Sequence, residues 1–196
     1  MGEYSGNVAQ FERLLAGGFN YILSHQNIRK VVLSHTPTAS WYNVVDVRNP
    51  DDHDFNSILH NGFSRTYEAL TKAGKEIYVI LDNPRFEDRD VLKCKASIVR
   101  RPVSIPFLYS KGMGYCSKEL RNTIGIKARD NWNRTSRELA AGYKNIHFID
   151  LEQIFCKDDI CSMLDINGKL LYKDGGHLNT RGSIYAARFI INELRK

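Results

Sequence analysis

Apolar positions along the chain alternate between a helical period and short runs of strand type. Phe11, Leu14, Leu15, Phe19, Ile22 and Leu23 recur at helical spacing. Val31, Val32 and Leu33, between Lys30 and His35, form a β-branched run ended by Thr36-Pro37, as expected of a buried strand. A second helix is predicted from about Phe55 to Leu70, with Ile58, Leu59, Phe63 and Tyr67 on one face and Gly74 where a C-terminal cap belongs. Glu76 to Leu81 supply the next strand, halted by Asp82-Asn83-Pro84. Residues 84 to 116 carry Pro84, Pro102, Pro106, Gly112 and Gly114 and are expected to be irregular; a loop that long is usually functional or pinned.

A third helix is expected from Ser117 to Ala141, closed by Gly142, and a third strand from Asn145 to Asp150. Short strands at Cys161 to Ile166 and Lys169 to Tyr172 flank Asn167-Gly168, a two-residue hairpin signal. The final helix, Thr180 to Leu194, is expected to bury Ile184, Phe189, Ile190 and Leu194. This threefold alternation predicts an α/β chain, a parallel sheet between layers of helices, and 196 residues suit one domain. Sites in such sheets gather at the carboxyl ends of the strands. Three loops would open there. The first holds His35, Thr36, Thr38, Ser40 and Trp41; the second holds Asp82, Asn83 and Arg85; the third is Asp174-Gly175-Gly176-His177.

The third loop carries the candidate chemistry. Asp174 is spaced to accept a hydrogen bond from one ring nitrogen of His177, fixing the tautomer and leaving the other nitrogen as a base. The two glycines permit the tight backbone this needs. The plain alternative is a solvated loop whose aspartate caps the following helix, and the convergence of three loops weighs against it. Trp41 is suited to stack on a sugar ring or to pack beneath its own loop, and Arg85 or Arg48 to meet acidic groups.

Composition narrows the partners. Hydrophobic residues make up 42% of the chain, enough for a real core, and no run approaches the ~18 apolar residues of a membrane span. No secretory signal is visible in the opening residues. The net charge of +6 is spread out, and its densest cluster is the pair Arg100-Arg101. That argues against a nucleic-acid partner and suits an acidic or phosphate-rich neighbourhood. Cys94, Cys116, Cys156 and Cys161 contain no C-x-x-C pair, and His147 and His177 complete no zinc pattern, so no metal site is expected. Cys156 and Cys161 enclose a short polar loop where a free thiol gains little by burial, while Cys94 and Cys116 bracket the irregular stretch. Two disulfides with those pairings, and hence an oxidising compartment, are expected; four free thiols in a cytosolic protein are the alternative.

With these residues in view, Asp174-Gly175-Gly176-His177 before the last helix resembles the closing Asp-x-x-His block of the SGNH hydrolase family. More narrowly, the chain resembles the SGNH domain fused to membrane acyltransferases of the acyltransferase-three type, which decorate bacterial surface polysaccharides. Val31-Val32-Leu33 followed by Trp41, Cys94 downstream of Leu81-Asp82-Asn83-Pro84, and the run from Cys156 through Leu171 to Leu178 are similar to that group's pattern. The resemblance implies a three-layer α/β/α, flavodoxin-like SGNH fold and serine-dependent transfer or hydrolysis of acyl, above all acetyl, groups on carbohydrate. It also implies an acyl donor delivered by an integral-membrane domain, an extracytoplasmic location tethered to the inner membrane, and no cofactor. Asp174 and His177 would be the acid–base half of the triad.

The chain departs from the family at the nucleophile. No Gly-Asp-Ser and no G-x-S-x-G elbow occurs, Ser5 follows no apolar strand, and Ser34-His35-Thr36 stands where the oxyanion asparagine block would be sought. Residues 1–196 are therefore expected to be one SGNH-like domain lacking its N-terminal strand or strands, the C-terminal part of a longer protein. A degenerate domain that binds carbohydrate without chemistry is the other explanation. The fragment is favoured because loss of the nucleophile strand would bare one side of the apolar strand at Val31 to Ser34, an edge that Lys30 alone protects poorly.

Overall fold

The computed structural model describes residues 16–34, 46, 48–99, 114–123 and 126–196. Helix α1 (16–24) precedes β1 (Lys30–Ser34), α2 (Phe55–Lys72), β2 (Glu76–Ile80), α3 (Asp88–Val99) and β3 (Ser117–Glu119). Then come α4 (Ile126–Ala140), β4 (Ile146–Ile149), the single turn α5 (Glu152–Phe155), β5 (Cys156–Lys157), β6 (Ile160–Ser162) and α6 (Thr180–Leu194). Among the described residues one sheet has the order β1-β2-β4 and a second the order β3-β6-β5. In the first, the Ile77 N–H donates to the Asn145 carbonyl and the Leu81 N–H to the Ile149 carbonyl. Both partners advance together along the chain, so β2 and β4 run parallel, as the alternation of elements predicts. β1 ends that order, with Val31 buried and Val32 42% exposed.

Two compact units divide the described residues: 16–33, 46, 48–79 and 136–147, and 34, 80–99, 114–123, 126–135 and 148–196. In the first, Asp54 caps α2 by accepting from the Asn56 and Ser57 N–H groups, and Gly74, at φ +69°, takes the left-handed conformation that ends the helix. Ile58, Tyr67, Leu70 and Ile77 are buried, and the Tyr67 hydroxyl lies 2.6 Å from Ser136 Oγ. Lys75 is also buried; its Nζ donates to the carbonyls of His25 (2.8 Å) and Ile28 (3.0 Å), closing the turn that leads into β1. Arg65 forks onto both oxygens of buried Asp46.

The second unit corrects several expectations. Residues 84 to 116 are not uniformly irregular, because α3 occupies Asp88–Val99. Asp88 and Asp90 suit its first turn, and Val91 and Cys94, three residues apart, face the core. The third helix begins at Ile126 rather than Ser117. Ser117–Glu119 is instead drawn into an antiparallel pair with β6, and Lys118 Nζ bonds Asp90 Oδ2 at 2.8 Å. β6 stops at Ser162, so the expected hairpin shrinks to a single bridge between Leu164 and Leu170. Its turn does fall at Asn167-Gly168, with Gly168 at φ +70°, but Asp165 holds it by accepting from the Asn167 and Lys169 N–H groups. On α6 the buried residues are Gly182 and Ala186, whereas Ile184 is 51% exposed. The helix turns its smallest residues inward because a Cβ on Gly182 would overlap the Leu171 carbonyl oxygen.

Cys94 is bonded to Cys116 and Cys156 to Cys161. The second bridge joins directly opposed residues of β5 and β6, across a turn in which Asp158 and Asp159 both have positive φ. Sequence separations of 22 and 5 set how much chain freedom each closure removes from the unfolded state. Replacing Cys94 and Cys116 by serine should therefore cost about 3 kcal/mol, and replacing Cys156 and Cys161 about 2 kcal/mol. Urea unfolding of the two double variants checks this, and an unchanged midpoint in either would refute it for that bridge.

Candidate active site

The Asp174–His177 loop is built on the segment leading into α3. Gly175 accepts from the Phe86 N–H (2.7 Å) and donates its own N–H to Asp88 Oδ1 (2.7 Å). The backbones approach so closely that a Cβ on Gly175 would overlap the Phe86 carbonyl oxygen. Behind the loop, Lys173 N–H donates to the His177 carbonyl, closing a narrow turn. Asn179 then caps α6 by accepting from the Gly182 N–H at 2.9 Å. The cap is thus Asn179, and Asp174 is left to its own loop.

Asp174 uses both oxygens locally. Oδ1 accepts from the Gly176 N–H (3.0 Å) and the His177 N–H (2.9 Å), and His177 Nδ1 lies 2.9 Å from Oδ1 and 3.0 Å from Oδ2. With a carboxylate on this side, Nδ1 carries the proton and Nε2 is the basic nitrogen. The His177 side chain is 77% exposed, so its reactive edge is open to solvent. Bonding to Gly176, then to the His177 ring and the His177 N–H, holds the Asp174 carboxyl down at about 2, from an ordinary 3.8.

Arg85, expected to bind substrate, is brought to this loop. A Cβ on Gly176 would stand 2.7 Å from Arg85 Nη2 and 3.1 Å from Nε, so the guanidinium lies against the Gly176 backbone. Trp41, the other expected substrate-binding residue, lies outside the described residues. Beneath the loop, buried Tyr172 donates its hydroxyl to the Pro84 carbonyl (2.9 Å) and meets Phe86 edge-to-face at 4.9 Å and Phe155 at 5.7 Å. Burial pushes its phenol up.

Asp88 and Arg129 are not among the residues the sequence points to, whereas Asp82 stands there in the second loop. Asp88 accepts from Gly175, as described above. Asp82 looked like part of a strand stop; burial pushes its carboxyl up against the opposing pull of Arg85 and Arg129. Arg129 is buried on α4 and ion-paired to Glu152 at 2.6 Å. Only for Asp82 was there a local signal, its place at the carboxyl end of β2. Among the described residues no cluster of His, Cys, Asp or Glu is arranged to hold a metal ion.

Comparison with known proteins gives the family. The sequence pattern of the family described as "SGNH domain (fused to AT3 domains)" matches residues 12–192. The chain belongs to that family. It is an SGNH hydrolase-type domain of an esterase- and acyltransferase-like family whose members are fused to AT3 domains. No described helix is long and apolar enough to cross a membrane. No curated protein matches this SGNH domain. A solved structure of a provisionally assigned platelet activating factor from Streptococcus pneumonia is 16% identical, with a TM-score of 0.46 over 90% of this chain and 67% of that one.

Two outcomes follow for the SGNH loop. Gly175→Ala should separate the loop from Phe86 and cost about 1–3 kcal/mol, as overpacking does elsewhere, with loss of the Gly175-to-Asp88 bond visible in amide exchange. A fully stable variant with native exchange would contradict the packing. The depressed Asp174 carboxyl stabilises the folded loop fully above its ordinary value near 4, and that contribution disappears as pH falls through about 2. Carbon-detected NMR of the Asp174 carboxyl should show a midpoint near 2; a midpoint near 4 would mean that the three bonds are not made in solution.

Proposed function

We propose that this SGNH domain supplies the acid–base half of a serine-dependent acyl-transfer site acting on O-acyl, chiefly O-acetyl, groups of bacterial surface carbohydrate. The observation that carries the proposal is the grip of Asp174 on Nδ1 of an otherwise exposed His177. As a serine Oγ attacks the acyl carbonyl, its proton passes to His177 Nε2, and Asp174 stabilises the imidazolium. The same proton then goes to the departing oxygen, leaving an acyl-serine. An acceptor hydroxyl, or water in hydrolysis, repeats the sequence in the reverse sense. No Gly-Asp-Ser occurs in this sequence, and none of its serines is assigned to this step.

In this reading Arg85, whose guanidinium lies against the Gly176 backbone, receives a polar or acidic group of the substrate, and Trp41 stacks on the sugar. The AT3-fused family supports delivery of the acyl donor by a membrane acyltransferase domain. The two disulfides support an extracytoplasmic, periplasmic setting. In the complete acyl-transferring protein, His177→Ala should lower turnover by about three orders of magnitude or more. Near-normal turnover would remove His177 from the role. A fluorophosphonate probe separates the competing explanation of a carbohydrate-binding module. Labelling of the complete protein, lost with His177→Ala, supports the enzyme; glycan binding with no labelling supports the module.

A further inference from the structure

Helix α6 carries a stripe on its outer face that the proposed chemistry does not use. Arg181, Ile184, Arg188, Ile191 and Arg195 follow one another at steps of three and four, which aligns them along the helix, and all five are exposed. Ile184 is 51% and Ile191 46% exposed, and Ile166, in the turn that shares a groove with Ile184 and Arg188, is 93% exposed. The nearby acids are withdrawn. Asp165 is ion-paired to Arg181 at 2.9 Å with its side chain only 7% exposed, and Glu193 is bonded to Lys196. Among the described residues Arg188 and Arg195 form no ion pair.

We propose that this face docks on an anionic phospholipid bilayer. The arrangement of charge and apolar surface decides between occupants. A protein interface centres on a contiguous apolar core with aromatic anchors, whereas here both isoleucines of the stripe lie between arginines and no aromatic side chain is among its five residues. The headgroup region of a bilayer takes both, with guanidinium groups at the phosphates and short aliphatic side chains inserted between headgroups. Ile166, at the tip of its turn, is the side chain best placed to insert. The stripe begins four residues after His177, so docking would hold the loop of Asp174 and His177 near the lipid surface. The proposal stands on exposure and charge alone and does not depend on the catalytic assignment.

Co-sedimentation of the 196-residue chain with phosphatidylglycerol-containing vesicles, and with phosphatidylcholine vesicles, tests it. Binding should be confined to the anionic vesicles and weaken as salt is raised, because each arginine near the surface adds about fivefold to partitioning. Arg188→Glu with Arg195→Glu should reduce binding more than tenfold, and Ile166→Ser with Ile184→Ser severalfold, with native circular dichroism in both variants. No binding to anionic vesicles would overturn the proposal, as would equal binding to both vesicle types or undiminished binding of the charge-reversed variant. Self-association of the chain that the isoleucine variant abolishes would also overturn it, giving the face to a second copy.

Discussion

Gly175 is gripped from both sides by the segment entering α3, its carbonyl by the Phe86 N–H and its own N–H by Asp88. The position of His177 depends on that contact. Asp174 and His177 flank the glycines, and their mutual bonds set only the orientation of ring and carboxylate within the loop. What anchors the loop to the rest of its unit is backbone bonding at a position where any side chain would intrude. The Asp174–His177 pair thus stays at the surface, open to solvent, while its support lies in a buried layer below.

That layer mixes aromatic packing with partly compensated charge. Tyr172 sits two residues before Asp174 and touches Phe86 and Phe155, so the strand-like approach to the loop and the segment it docks on share one aromatic contact. Its hydroxyl is satisfied by Pro84, in the loop that also presents Arg85. Asp82, Arg85 and Arg129 place a carboxylate and two guanidiniums close by. A charge that burial disfavours keeps its place only where opposite charges face it, which ties the side chain of Arg85 to the buried end of β2 as well as to Gly176.

The elements legible in the sequence were those whose signal is local. β2 and β4 are apolar runs, α2 announces its end with a glycine, and the Asp174–His177 spacing of three residues contains its whole geometry. The failures share the opposite property. Ser117–Glu119 reads as the start of a helix until β6, some forty residues later, offers it a partner and Cys116 is fixed to Cys94. Asp88 is 87 residues from the Gly175 N–H it accepts from, and nothing near either one hints at the other. Counting apolar residues puts Ile184 in the core. The close approach of Gly182 to Leu171 rotates that helix by its backbone, and a pattern of side chains cannot register such a contact.

The two glycines of the loop are bound by different neighbours, and this has an evolutionary consequence. At position 175 the obstacle is the backbone of residue 86, present whatever amino acid stands there, so relatives that keep this loop should keep that glycine regardless of other changes. At position 176 the obstacle is the far end of the Arg85 side chain. A lineage that shortened residue 85 would free its neighbour to acquire a Cβ. Positions 85 and 176 are therefore free to drift only as a pair, while position 175 has no such freedom.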